Sequence, residues 1–341
     1  MLDDLKFIHE KDADDVLGTA GKQWQQVLED YSIGVEKQSF DNVVLSGMGG
    51  SALAAALAQS WPGFSVPFVI SRDYSIPSFL NEKSLFIASS YSGNTEETLT
   101  ALSSAEKTGA TIVVISSGGT LEEIALKNGY TFAKLPGGLQ PRHATLYGLK
   151  ALLQITDGFG LTENRANELA SKSDYLKKLC EPWSAEKPTK GNLAKEIAQE
   201  LMGKSIVVYS GPVLGPVGYK WKISFNENSK HIAWFNQFPE FNHNEFLGWT
   251  KQPTQKPYAV IDLRTSFDNP RIAKRFEVTK KLLSGLRPNP ITVEAKGDDK
   301  LEQILWTMLL GDFTSIYLAL LSNLNPFPVA LIEDLKKELA D

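Results

Sequence analysis

Short apolar runs that alternate with helix-forming stretches constrain the first half of this chain more tightly than any other feature. The runs 42–46 (NVVLS), 66–70 (VPFVI), 84–88 (SLFIA) and 111–116 (TIVVIS) have strand length, and the alanine- and leucine-rich segments 51–59, 95–108 and 121–128 between them read as helices. Strands that are apolar almost throughout need cover on both faces, which a parallel sheet wrapped by crossover helices supplies. An amphipathic helix at about 13–31 and another at 142–156 flank this array, and 162–191 is a polar stretch of Ser, Lys, Glu and Pro. The second half repeats the rhythm more loosely, with strands at 205–210, 258–263 and 291–294 and helices at 270–286, 301–323 and 329–339. The expected fold is α/β: two doubly wound domains, each a mostly parallel sheet flanked by helices. They span 1–160 and 196–341, joined by a helical linker at 161–195.

Bulk properties narrow the partners. A 341-residue chain that is 42% hydrophobic and 22% charged can bury a sizeable core in two domains. Its net charge of −5, with no long basic run, argues against nucleic acid or an anionic membrane as partner. Cys180 is the single cysteine, so neither an intrachain disulfide nor a Cys-x-x-Cys metal site is possible. The acidic segment 1–15 lacks the apolar core of a signal peptide. The apolar stretch 307–321 carries Asp312 and is too short to span a bilayer. A cytoplasmic protein is expected.

Two loops carry the chemistry. The run 84–88 empties into Ser89-Ser90-Tyr91-Ser92-Gly93-Asn94-Thr95, directly before a helix. Backbone N–H groups at a helix start, with the hydroxyls of Ser90, Ser92 and Thr95, favour a phosphate. No lysine lies in the loop, which suits a phosphate that is held rather than transferred. The first strand ends in Ser46-Gly47-Met48-Gly49-Gly50-Ser51-Ala52. Gly47, Gly49 and Ala52 fit the loose dinucleotide pattern G-x-G-x-x-A, with Arg72 after the second strand available to an NADP phosphate. Against that reading, Ser51 puts a hydroxyl at the helix start, and strands 1 and 3 bring both loops to one sheet edge. Two hydroxyl-rich loops describe a sugar-phosphate pocket better than a cofactor groove.

In order along the chain, SGMGGSA, SYSGNTEET, VISSGG, LPGGLQPR, FNENSK, NHNEFLGW and PVALIEDLKK resemble the sugar isomerase (SIS) domain, and more narrowly the bifunctional phosphoglucose/phosphomannose isomerase family. The likeness covers nearly the whole chain. It implies two SIS-type domains and a homodimer whose active site is shared between subunits. It places Gly49, Gly50, Ser51, Ser90, Ser92 and Thr95 on the substrate phosphate. It makes Glu227 the general base and sets Arg142 on the enediolate oxygen. His243, from the partner subunit, opens the pyranose ring with a C-terminal lysine. Between the two candidates, Lys336 lies on the edge of the apolar stripe Ile332, Leu335 and Leu339, whereas Lys337 pairs with Glu333 at i,i+4 on a solvated face; Lys336 is chosen. Around Glu227, alternation of 219, 221, 223 and 225 suggests a strand and the spacing 217, 221, 225 a helix; the preceding Gly-Pro pairs favour the helix.

The implied activity is interconversion of glucose 6-phosphate and fructose 6-phosphate, with mannose 6-phosphate a further substrate wherever the pocket tolerates either C2 configuration. No cofactor is called for. Glu240-x-x-His243 and His243-x-Glu245 mimic metal-ligand spacing, but no second histidine or cysteine cluster accompanies them, so no metal is expected. The alternatives are an SIS isomerase of another phosphosugar, a non-catalytic sugar-phosphate sensor and an NADP-dependent dehydrogenase.

Overall fold

The computed structural model describes residues 1–251 and 257–340. The chain forms two compact units, Lys22–Lys177 and Met1–Gly21 with Lys178–Asp341.

In the unit Lys22–Lys177 every strand pairing is parallel, in the order β2-β1-β3-β4-β5. The strands are β1 (Asn42–Ser46), β2 (Phe68–Ser71), β3 (Ser84–Ser89), β4 (Thr111–Ser116) and β5 (Thr131–Lys134). β1 and β3 are buried throughout because helices cover both faces, which is why they read as continuous apolar runs. Val44, Phe86, Val114 and Leu121 centre the core on one face. The order reverses between β1 and β3. In doubly wound sheets the crevice at such a reversal, beyond the carboxyl ends of the strands, is where ligands bind. β5 has no counterpart among the expected strands: as an edge strand it is only partly buried and shows no apolar run.

The other unit holds a second parallel sheet, ordered β7-β6-β8-β9, which repeats the first four positions of the first sheet. Its strands are β6 (Ser205–Ser210), β7 (Ala233–Gln237), β8 (Tyr258–Arg264) and β9 (Ile291–Glu294). β7 likewise has no counterpart among the expected strands, and it too is a partly exposed edge.

The division of the chain falls at 21/22 and 177/178 rather than at 160 and 196. The first residues belong with the second sheet because polar groups stitch them there. Lys195 Nζ, fully buried, donates to the carbonyls of Leu2 (2.6 Å), Lys187 (2.7 Å) and Ala185 (2.9 Å). Asp3 accepts from the Thr189 N–H (2.7 Å). The helix expected at 13–31 is therefore broken into Val16–Gly21 in one unit and a 3-10 turn, Gln23–Leu28, in the other.

The stretch 307–321 is part of a longer helix, Lys300–Leu321, whose 22 residues are long and apolar enough to cross a membrane by length and composition. The expectation that the stretch is too short is corrected. Its character comes from burial instead: 94% of the apolar window lies inside the protein, packed by the helices Leu193–Leu201 and Gly215–Ser224. A helix apolar all round is what a core position produces.

Candidate active site

At the reversal point of the first sheet, β1 and β3 end in register, Ser46 opposite Ala88. Each runs into a helix, Gly49–Ser60 and Glu96–Ala105. Neither helix start is capped by a side chain. Helix starts with a side-chain cap occur in the second unit, where Asn192, Asn269 and Asp299 each accept a hydrogen bond from their own helix, although Gly215–Ser224 there has none. Two neighbouring helix N-termini thus keep N–H groups and partial positive charge for an external anion.

The hydroxyls around them form a connected set. Ser90 Oγ lies 2.7 Å from Thr95 Oγ1 and 3.5 Å from Ser92 Oγ, and it accepts the Gly93 N–H (3.1 Å). Ser51 Oγ accepts the Tyr91 N–H (3.0 Å), which leaves its own proton to donate. Gly49 has φ +47 and open space where a Cβ would stand, so backbone conformation rather than packing requires glycine there. Gly93 has φ +71, and its Cβ position lies 1.8 Å from the Gly118 carbonyl, which seats the β4 loop against the serine loop. Gly49, Gly50, Ser51, Ser90, Ser92 and Thr95 therefore gather at one sheet edge.

Arg142 comes to the same place through glycine. A Cβ on Gly50 would lie 2.8 Å from Pro141 C and 3.0 Å from Arg142 N, so the turn Pro141–His143 rests directly on the first loop. Gln26 holds this turn from behind, its amide donating to the His143 carbonyl (2.7 Å) and its Oε1 accepting the Tyr147 N–H (3.2 Å). Arg142 is almost wholly buried.

Glu227 belongs to the other unit. The helix Gly215–Ser224 runs on into a π-helical turn, Phe225–Ser229, an arrangement frequent at functional sites. Lys220, Ser224 and Asn228, spaced at i,i+4, face the helix Lys300–Leu321. Lys220 pairs with Asp312, Ser224 Oγ donates to Asp312 Oδ1 (3.2 Å) and Asn228 Nδ2 donates to Ser315 Oγ (2.8 Å). This buried polar ladder fixes the rotation of the turn and leaves Glu227 half-buried beside it. Lys230, whose Nζ donates to the carbonyls of Glu227 (2.8 Å) and Pro328 (2.9 Å), ties the turn to the start of the C-terminal segment.

His243 lies on the far side of the same sheet. Val207 and Tyr209 of β6 pair with Trp234 and Asn236 of β7, and their face is covered by Phe238, Phe241, Trp249 and Phe276. Phe235, one residue out of phase, instead meets Gly218 of the helix that leads to Glu227. The helix that leads to Glu227 and the turn that carries His243 therefore pack on opposite faces of this sheet. His243 is exposed. The mimicked metal spacings are otherwise engaged: Glu240 accepts from Asn244 (2.6 Å), and Glu245 accepts from Tyr209 and from Asn236 (2.7 Å). Among the described residues no group of three or more His, Cys, Asp or Glu is placed to hold a metal ion.

Lys336 is exposed on the helix Ala330–Ala340, and the stripe beside it is exposed as well: Ile332 at 40%, Leu335 at 57% and Leu339 at 64%. Lys337 pairs with Asp334 (3.2 Å), three residues back, rather than with Glu333.

Residues 190–339 match the family model described as the bacterial phospho-glucose isomerase C-terminal SIS domain. A bifunctional phosphoglucose/phosphomannose isomerase from Caldicellulosiruptor bescii is 36% identical over 321 residues, covering 93% of this chain and 94% of that one. The protein of the same description from Aquifex aeolicus is 32% identical, again over 93% and 94%. Among solved structures, a glucose-6-phosphate isomerase like protein from Thermus thermophilus superposes with a TM-score of 0.68 at 19% identity over 98% of both chains. A glucosamine-6-phosphate deaminase from Thermotoga maritima gives 0.62 at 16% identity over 95% and 96%. At such identities these two structures bear on the fold alone: two α/β units with parallel sheets.

Proposed function

We propose, from the premise that this chain belongs to the bifunctional phosphoglucose/phosphomannose isomerase family, that it is a ketol isomerase interconverting glucose 6-phosphate, mannose 6-phosphate and fructose 6-phosphate. The observation that carries this reading is the pair of uncapped helix starts, with their hydroxyls, at the reversal point of the first sheet.

The phosphate sits on Gly49, Gly50, Ser51, Ser90, Ser92 and Thr95, held by neutral donors that anchor the substrate without taking part in the reaction. Glu227 takes the C2 proton of the aldose, and the electron pair moves through C1 to the carbonyl oxygen to give a cis-enediolate. Arg142 stabilises that oxygen. The O2 proton passes to O1, and as the C2 carbonyl forms the electron pair of the double bond takes the proton back from Glu227 at C1. The enediolate is planar at C2, so either epimer of the aldose reaches the same intermediate, which is how one site serves glucose and mannose phosphates. A positioned base contributes about 10²–10⁴-fold, and an oxyanion-stabilising group about 10²–10³-fold.

His243 and Lys336 open the pyranose ring, and the chain works as a homodimer in which each Glu227 meets the other copy's histidine. Two features support this: within one chain the helix leading to Glu227 and the turn carrying His243 pack on opposite faces of one sheet, and the stripe of the C-terminal helix is apolar and exposed. A phosphosugar does not cross a bilayer unaided, so the enzyme works in the cytoplasm, at the hexose-phosphate step of glycolysis and gluconeogenesis.

The primary test is exchange of the C2 proton of glucose 6-phosphate in deuterium oxide. Glu227→Gln should lower exchange by about 10²–10⁴-fold; exchange at the wild-type rate removes the residue from its role. Purified protein that binds the phosphosugar without exchange would be a sensor instead. The shared site is tested by mixing inactive Glu227→Gln and His243→Ala proteins after dissociation. Each hybrid dimer then carries one intact site, so about a quarter of wild-type activity returns; no recovery refutes the sharing.

A further inference from the structure

We propose that Tyr91 is the positioning residue that couples the phosphate loop to the placement of Arg142, an inference that rests on Arg142 acting at the enediolate as set out above. Tyr91 lies between Ser90 and Ser92 and is 8% exposed. Its polar groups reach three other loops. The main-chain N–H donates to Ser51 Oγ (3.0 Å) on the β1 loop. The main-chain carbonyl accepts from Ser117 N (2.9 Å) and Ser117 Oγ (2.6 Å) on the β4 loop. The phenol donates to the Pro136 carbonyl (2.8 Å) and accepts the Leu139 N–H (3.1 Å) on the β5 loop.

Those last two bonds bracket Gly137-Gly138. A Cβ on either glycine would meet nothing within 4 Å, and Gly138 has φ +88. Two glycines without packing neighbours make a segment that its own side chains cannot hold in one shape. The phenol clamps this segment at both ends, and Arg142 follows three residues after Leu139. On the far side Thr145 Oγ1 donates to the Arg142 carbonyl (3.2 Å), and the His143 N–H donates back across Arg142 to the Gln140 carbonyl (2.8 Å). Tyr91 thus fixes the glycine segment that leads into the turn Pro141–His143, upstream of the point where that turn rests on Gly50. Burial also raises the phenol above its ordinary pKa, so it remains a donor to Pro136 throughout the neutral range.

The test compares Tyr91→Phe, Arg142→Gln and the double variant, reading kcat and KM for fructose 6-phosphate and competitive inhibition by inorganic phosphate. Removing the hydroxyl keeps the ring and loosens the approach to Arg142. kcat should fall about 10- to 100-fold, the range for a displaced catalytic group. KM and phosphate inhibition should stay within about twofold, because the serine loop keeps its own bonds. In the Arg142→Gln background the same change should cost less than about twofold, since groups that act as one unit do not add. A full further loss there, or an unchanged kcat in Tyr91→Phe, overturns the proposal. Loss of phosphate inhibition in Tyr91→Phe also overturns it, by making Tyr91 a support of the anion site rather than of Arg142. An Arg142→Gln protein with wild-type kcat defeats the underlying assignment instead, and is told apart because the failure lies in the single arginine variant.

Discussion

Alanine at Gly93, set against alanine at Gly129, separates the packing of the phosphate loop from backbone strain. Both glycines have left-handed backbone, φ +71 and φ +69. At Gly129 a Cβ would meet nothing within 4 Å, so the substitution costs strain alone, about 1 kcal/mol. At Gly93 the Cβ would fall 1.8 Å from the Gly118 carbonyl oxygen, and backbone on both sides leaves no rotamer to yield. The two loops must part by more than about 1 Å to reach ordinary contact, which also weakens the bond from the Leu121 N–H to the Gly93 carbonyl (3.0 Å). Strain, overpacking and a lost hydrogen bond together come to about 3–5 kcal/mol. Thermal unfolding should show a Tm lower by about 2–4 °C for Gly129→Ala and by roughly 6–20 °C for Gly93→Ala. Because Ser90 and Ser92 flank the displaced segment, KM for fructose 6-phosphate should rise about 10- to 100-fold in Gly93→Ala, as expected for a lost hydrogen bond to a charged group. It should stay unchanged in Gly129→Ala. Equal destabilisation by the two substitutions, or an unaltered KM in Gly93→Ala, would refute the reasoning.

Two further outcomes follow from buried charge in the second unit. Burial outweighs the Arg287 guanidinium 3.9 Å away and lifts the Asp262 carboxyl from 3.8 to about 6. The folded protein then holds this proton more tightly than the unfolded chain, so the group favours folding at low pH and ceases to as pH rises. The stability of wild type minus that of Asp262→Asn, from urea titrations, should decline by up to about 3 kcal/mol between roughly pH 4 and pH 6 and be level above. A difference that grows with pH would show that the arginine dominates. Lys220 and Asp312 form an ion pair with both side chains buried. Lys220→Met should therefore cost about 3–5 kcal/mol in the same titration, while Lys220→Met with Asp312→Leu should restore most of it. A double variant as unstable as the single one would show that Ser224 and the packing, not the unpaired carboxylate, carry the loss.

The residues themselves determined the layered α/β architecture and the anion site, for a common reason. A central strand buried on both faces must be apolar along its length, so β1, β3, β4, β6 and β8 announce themselves; the edge strands β2, β5, β7 and β9, only partly buried, are under no such rule, and of these β2 and β9 are legible in the sequence while β5 and β7 are not. The serine and glycine loops are local chemistry placed directly after those strands, and topology then carries both to one edge. Tertiary structure alone decided the rest. Hydrogen bonds from Lys195 and Thr189 draw the first residues to the second unit, although they precede the first in sequence. The π-helical turn under Glu227 depends on a polar ladder to a helix about ninety residues away. Which face of the second sheet His243 occupies follows from strand pairing, a long-range property that no local pattern of residues encodes.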